Sequence, residues 1–339
     1  MKFTFGVCTY NSENFILETL ESIKYQIESY GDNWDVTLVV SDDASSDKTV
    51  ELVKEWCQRN EGIFEDCILL ASEKNQGIAH NYARIVSNIK TEYFKTIDGD
   101  DIISSCNIFE QIIKINDDNM SVFFPIRFTG VQTYVKDADY ADMYYYYVQK
   151  HNHRKDVIMF ETVKPFITPE VCLRRKYLTD ACLEFVKEYI QFEDDTSLFY
   201  ILKNNMNMTI DFYLEPMILY RVHDRSLSNG VESAHQIKFL DDLHRFKRCL
   251  LHSEKNIFIK IIIFLVVCDT FRMKHRFSAK KSLYRRYCNK CEYRRKKAVD
   301  NLPCYNEYIE KMNIISENEM KHIKLLNERA NEFRESLRK

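Results

Sequence analysis

The 339-residue sequence predicts an α/β fold, a parallel sheet covered by helices on both faces, followed by a mostly helical region. Two observations carry this. Strand-like and helix-like segments alternate through the first hundred residues, and the strands are almost continuously apolar, as expected when both faces of a sheet are buried. The polar corners after Cys8, Val40 and Ile97 also fall at the carboxyl ends of strands, where open α/β sheets bind ligands.

Taken in order, "FTFGVCTY" (3–10) is the first strand, and the helix after it sets Ile16, Leu20, Ile23 and Ile27 on one stripe. "WDVTLVVS" (34–41) is the second strand, and Val50, Val53, Trp56 and Cys57 share a face of the next helix. "DCILLAS" (66–72) is the third strand; after Gly77 a helix carries Ile78, Tyr82, Ile85 and Ile89, and a strand over 92–97 completes the series. Such a β-α-β succession requires right-handed crossovers. From residue 104 the pattern becomes α+β: a helix over 105–116, a strand "SVFFPIRF" (121–128), a tyrosine-rich segment over 140–149, an acidic helix start at "QFEDDTSLFYIL" and a strand "MTIDFYLEPMILYRVH". Helical patterns prevail beyond 235, so two regions are expected, 1–235 and 236–339.

Composition is that of an ordinary folded protein, with 45% hydrophobic and 29% charged residues and a net charge of −3. The balance is uneven. Residues 272–297 are dense in Lys and Arg with Glu292 as their only acid, which leaves the preceding chain acidic and argues against nucleic acid as a partner. The 11 cysteines are odd in number and scattered, a usage that suits buried thiols in a reducing compartment. No secretory signal is visible, and the most apolar run, 257–268, is interrupted by Lys260 and shorter than the roughly 20 residues of a spanning helix. A cytoplasmic location is the expectation.

The sharpest chemical signal is "DGDD", 98–101. Asp98, Asp100 and Asp101 follow an apolar strand and precede Ile102 and Ile103. Carboxylates this close repel and lose hydration, so the cluster suits a bound divalent cation, and hard oxygen ligands favour Mn²⁺ or Mg²⁺. A solvated Asp-Gly turn is the alternative.

Six motifs in order across roughly 1–230 resemble the family 2 glycosyltransferases, which have the GT-A fold. They are Thr9-Tyr10-Asn11, "VVSDDASSDKT" (39–49), "NQGIAHNY" (75–82), "DGDD", "FEDD" (192–195) and "YRVHDRSLS" (220–228). One departure is Ala44, where glycine is commoner. The resemblance implies a GT-A-like, Rossmann-like sheet with a helical C-terminal extension. It also implies a donor pocket for a nucleotide diphosphate sugar lined by Thr9, Tyr10, Asn11, Asp42, Asp43, Asn75, Gly77, Asn81, Asp98 and Arg221, with Asp43 favoured over Asp42 for the nucleobase. Asp100 is the implied metal ligand, with Asp101 and His223 as further candidates. Asp194 is the implied general base, although acids 193–195 also suit the positive end of the helix they open.

The function expected is a metal-dependent, inverting transfer, from a UDP-sugar by preference, to a hydroxyl of a surface glycan or lipid-linked precursor. The alternative is a catalytically silent nucleotide-sugar binder or membrane-docking scaffold. An apolar segment followed by basic residues, 257–297, suggests an anionic membrane surface as partner, hence a peripheral place at the inner face of the cell membrane. The stripe Ile323, Leu326, Ala330, Phe333 and Leu337 fits either packing on the domain or a homo-oligomer through the C-terminal helices.

Overall fold

A computed structural model describes residues 1–135, 137–162, 171–190, 193–223, 234–274 and 283–338. The chain opens with β1 (Lys2–Thr9), α1 (Ile16–Tyr30), β2 (Asp35–Asp42), α2 (Thr49–Arg59), β3 (Asp66–Ala71), α3 (Ile78–Asn88) and β4 (Tyr93–Asp98). These form a parallel sheet in the order β3-β2-β1-β4, so β1 lies between the two strands that carry the acidic corners. The apolar runs of β1 divide between two cores. Phe3, Phe5 and Val7 pack with Leu20, Trp56 and Phe109, while Cys8 joins Ala79, Ile85 and Phe94 on the opposite face. That two-sided burial is what makes the strands read as continuous hydrophobic segments.

The second part begins with β5 (Ile102–Ile103), α4 (Ile108–Lys114), β6 (Met120–Val122), β7 (Ile126–Thr129), β8 (Gln132–Tyr134), α5 (Asp137–Val148) and α6 (His153–Thr162). It continues through β9 (Val171–Cys172), α7 (Asp180–Lys187), α8 (Glu193–Asn204), β10 (Ile210–Phe212) and β11 (Ile218–Arg221). Two expected long strands are each broken in two. The 121–128 run becomes β6 in the sheet β10-β6-β9 and β7 in the sheet β5-β11-β7-β8, and the later run divides the same way into β10 and β11. Pro125 and Pro216 sit in the breaks. Proline lacks the N–H a ladder needs, so each chain steps from one sheet to the next at that point.

The C-terminal region comprises α9 (Ala234–Ser253), α10 (Ile257–Lys274), α11 (Leu283–Val299) and α12 (Tyr305–Ser336). The last helix packs back along α1, burying Ile323, Leu326 and Ala330, with Phe333 and Leu337 against the core that holds Phe3 and Trp56. Its apolar stripe is therefore taken up by the chain's own α/β domain. Polar ties reinforce the contact: Arg334 donates to the carbonyl of Asn14 at 2.9 Å and Arg59 to Ser336 at 2.6 Å. One cysteine pair departs from the expectation of free thiols, since Cys57 of α2 and Cys67 of β3 are disulfide-bonded.

Candidate functional site

Strand register assembles the site. Thr9 pairs with Asp42 and Cys8 with Asp98, so three polar corners far apart in sequence end side by side. Close approach requires Gly99. Its N–H donates to the carbonyl of Cys8 at 2.7 Å, and a Cβ there would lie 2.8 Å from Thr9 Cγ2 and 3.1 Å from the Cys8 carbonyl oxygen.

The two acids of the second corner divide their tasks. Asp42 accepts from the Thr9 hydroxyl at 2.8 Å, and from the backbone N–H and hydroxyl of Ser45, which closes the turn on itself. Asp43 instead accepts the N–H groups of Gln76 at 3.0 Å and Gly77 at 2.8 Å, with an Arg84 nitrogen at 3.9 Å. Asp43 thus holds the loop before α3 against the end of β2, and Gly77 takes a φ of 91° there. The first corner is tied to the second through Asn11, whose Oδ1 accepts from the Ser46 N–H at 2.9 Å and whose N–H donates to the Ser45 hydroxyl at 2.8 Å. Asn11 and Ala44 both take left-handed φ angles, 50° and 64°. Glycine adopts that conformation without steric cost, which accounts for the glycine that the sequence resemblance leads one to expect at position 44.

Asn81 is buried on α3 and donates to the carbonyl of Thr9 at 3.2 Å, while its Oδ1 has no hydrogen-bond partner among the described residues. Tyr10 and Asn75 are exposed beside these corners.

At the third corner Asp98, Asp100 and Asp101 each bring a carboxylate oxygen within 4.8 Å of the others. Asp98 and Asp100 are half-buried and Asp101 is buried. Asp101 Oδ1 accepts the N–H of Arg221 at 2.8 Å, but its Oδ2 is buried without a hydrogen-bond partner among the described residues. Burial, then the charges of Asp100 and Asp98, hold Asp101 well above the usual carboxylate range, with the Arg221 N–H and guanidinium pulling the other way. Three carboxylates, one of them with an orphaned, desolvated oxygen, fit a divalent cation of the Mg²⁺ or Mn²⁺ kind. His223 reaches the same place, its Nε2 2.8 Å from Asp100 Oδ2 and its ring 4.8 Å from that of Phe15.

Arg221 sits behind this corner. Its Nε donates to the carbonyl of Asp100 at 2.6 Å, its Nη2 meets Glu18, and its guanidinium lies over Phe15 and Phe128. At 5% exposure it anchors the acidic loop from within. Residue 194 opens α8 as expected, but the side chain of Asp194 lies outside the described residues. The neighbouring Asp195 and Thr196 are buried.

Sequence reasoning missed the support beneath the acidic loop. The helix α1 turns a buried polar face to it: Thr19 donates to the carbonyl of Asp101 at 2.7 Å, Ser22 accepts the N–H of Ile103, and Gln26 donates to the carbonyl of Ser104 at 2.7 Å. A signal did exist, since Thr19, Ser22 and Gln26 recur at helical spacing beside the apolar stripe. The helix α12 adds to the same support. Its Glu319 accepts from the N–H and hydroxyl of Ser105, and His322 Nε2 lies 3.1 Å from the carbonyl of Ile103.

Residues 4–183 match the family described as Glycosyl transferase family 2, more than half of the chain. The chain belongs to that family. Among curated proteins, this family 2 chain is 28% identical over 146 residues to a teichoic acid poly(glycerol phosphate) polymerase of Staphylococcus epidermidis, covering 43% of the chain and 19% of that protein. It is also 28% identical over 93 residues to an uncharacterized protein of Mycobacterium tuberculosis, covering 27% of the chain and 25% of that protein. The chain therefore matches a fifth to a quarter of the length of these relatives. Among solved structures, S. aureus TarS 1–349 in complex with UDP superposes with a TM-score of 0.54 at 16% identity, covering 83% of this chain and 74% of that one. The mannosyltransferase PcManGT from Pyrobaculum calidifontis, in complex with GDP-Man and Mn²⁺, gives a TM-score of 0.52 at 15% identity, with 94% and 85% covered. These likenesses show a shared GT-A-like fold.

Proposed function

We propose that the chain is a metal-dependent, inverting glycosyltransferase. It takes a sugar from a nucleoside diphosphate sugar, by preference a UDP-sugar, to a hydroxyl of a surface glycan or its lipid-linked precursor. The observation that carries this reading is the register that gathers Thr9, Asp42–Asp43 and the Asp98–Asp100–Asp101 cluster at one end of a parallel sheet, with Asp101 Oδ2 buried and unsatisfied. Family membership, the UDP and GDP-Man named for the structural neighbours and the teichoic acid polymerase among the relatives support it.

Asp100, with Asp98, Asp101 and His223, would hold Mn²⁺ or Mg²⁺; a bound divalent cation neutralises charge on a departing diphosphate. Thr9, Tyr10, Asn11, Asp43, Asn75, Gly77 and Asn81 would line the nucleoside end. Arg221 acts there by positioning the Asp100–Asp101 loop. Asp194 would take the acceptor hydroxyl's proton as that oxygen attacks the anomeric carbon, a role typically worth about 10²–10⁴-fold. The C–O bond to the diphosphate breaks on the opposite face, so one displacement inverts the anomeric centre.

Calorimetric titration of UDP, dTDP and GDP, with and without Mn²⁺, on wild type and Asp100→Ala tests the reading. Metal-dependent binding of one nucleotide, lost in the variant, is expected. Binding of none with any metal overturns the assignment. Slow hydrolysis of the matching nucleotide sugar, measured on Asp194→Asn beside an acceptor screen, then tests the base.

A further inference from the structure

Over residues 257–268 the helix α10 is apolar on nearly every side, with Lys260 its one charged residue there, a composition that calls for a cover on most of its circumference. Its inner face has one, with Ile259, Ile263 and Val266 buried in the packing against α9, α6 and α11. Its outer face has none among the described residues. Ile257, Phe258, Ile261, Phe264 and Phe271 are 63%, 75%, 54%, 54% and 48% exposed, far beyond the scattered apolar residues of an ordinary surface. Ile257, Ile261, Phe264 and Phe271 follow one another along a single side of the helix.

The exposed charge around this stripe is predominantly basic. The only acid on α10 is Asp269, which is buried. At the N-terminal end Lys255 borders Ile257, and it lines a hollow with Arg154, Lys203 and the buried Glu254, which lies 3.8 Å from Arg154. At the C-terminal end Arg248 and Arg272 line a groove with Phe271 and Cys268. The adjoining α11 exposes Arg286, Lys290, Arg294 and Lys297 against a single acid, Glu292.

We propose that the outer face of α10 docks on an anionic lipid surface, its Phe and Ile side chains seated in the headgroup–acyl boundary and the cations at both ends meeting lipid phosphates. No helix of the described residues is long and apolar enough to cross a membrane, so α10 would lie in the plane of the interface. A second copy is the poorer cover. An isologous pairing of two such stripes sets cations against cations at each end, and like charges oppose it. Docking suits an enzyme with a lipid-linked acceptor, yet the surface is argued from its own side chains and stands apart from the donor site.

The test is co-sedimentation of the full chain with phosphatidylcholine vesicles and with vesicles enriched in phosphatidylglycerol, alongside sedimentation equilibrium without lipid. Partition roughly ten-fold or more tighter to the anionic vesicles is expected, weakening as salt is raised. Phe258→Ser with Phe264→Ser should reduce it about ten-fold or more by removing insertable apolar area. Arg248→Gln with Arg272→Gln should reduce only the anionic preference. Both sites are exposed, so unchanged melting temperature and nucleotide binding confirm intact folding. Equal partition of wild type and the Phe variant overturns the proposal. A wild-type dimer that the Phe variant dissociates, with no vesicle binding, overturns it in favour of a second copy.

Discussion

Replacing Glu18 by Gln removes the charge against which Arg221 is buried, and its effect can be worked from the structure. The two side chains are each 6% exposed, and Asn327 donates to the second Glu18 oxygen at 3.0 Å. Arg221 also reaches the Asp100 carbonyl through Nε, and its ring contacts with Phe15 and Phe128, at 4.8 and 4.4 Å, exclude water from the guanidinium. Leaving one partner of such a buried pair uncompensated costs about 3–5 kcal/mol, a large share of the roughly 5–15 kcal/mol that holds a protein folded. Urea unfolding of Glu18→Gln, Arg221→Gln and the double variant should therefore give a coupling energy of about 2 kcal/mol or more. The loss should extend to binding. The same guanidinium and backbone fix the Asp100 carbonyl and the Asp101 carboxylate, so metal-dependent nucleotide affinity of Glu18→Gln should fall by roughly 10–100-fold below the unfolding range. Coupling under about 0.5 kcal/mol with unaltered affinity would show that the anchor has no bearing on the acidic loop.

Three further outcomes follow from named residues. Ala44→Gly should match or stabilise the wild type by up to about 1 kcal/mol in urea unfolding, because relief of the 64° φ offsets the added chain entropy, whereas Ala44→Val should destabilise. Gly99→Ala should cost about 1–3 kcal/mol and weaken nucleotide binding in calorimetry, since its methyl must push β1 and β4 apart at their ends. On α12, burial raises Glu319 from 4.5 to about 7 and lowers His322 from 6.5 to about 4. A raised acid binds more protons when folded, so its contribution falls as pH rises from 4.5 to 7; a lowered His binds fewer, so its contribution falls as pH drops from 6.5 to 4. Relative to wild type, Glu319→Gln should gain stability up to pH 7, and His322→Gln should gain it on acidification, each by about 3 kcal/mol at the limit. Melting curves across pH check this, and parallel profiles for all three proteins would refute it.

Much of the fold could be read locally. The β-α-β succession, the stripes of α1 and α3 and the placement of acids at strand ends each depend on side-chain period or on a corner a few residues long. The acidic cluster was legible for the same reason, since Asp98, Asp100 and Asp101 are neighbours in the chain. Where the reading stopped, the partner was distant. That Asp42 closes its own turn while Asp43 grips Gln76 and Gly77 depends on how β2 meets the loop before α3. The breaks at Pro125 and Pro216 depend on which sheet each half-strand finds.

The sequence by itself determined the sheet, its polar corners and the residue types able to hold a cation, because periodicity and strand-end chemistry are written in adjacent residues. Only the tertiary structure decided that Arg221 lies behind the acidic loop, that Glu18 and Asn327 hold it there, and that α12 rather than a second subunit covers α1. Glu18 and Asn327 stand 309 positions apart. A buried hydrogen bond across that distance leaves no local pattern; it exists only once packing has removed water from both ends.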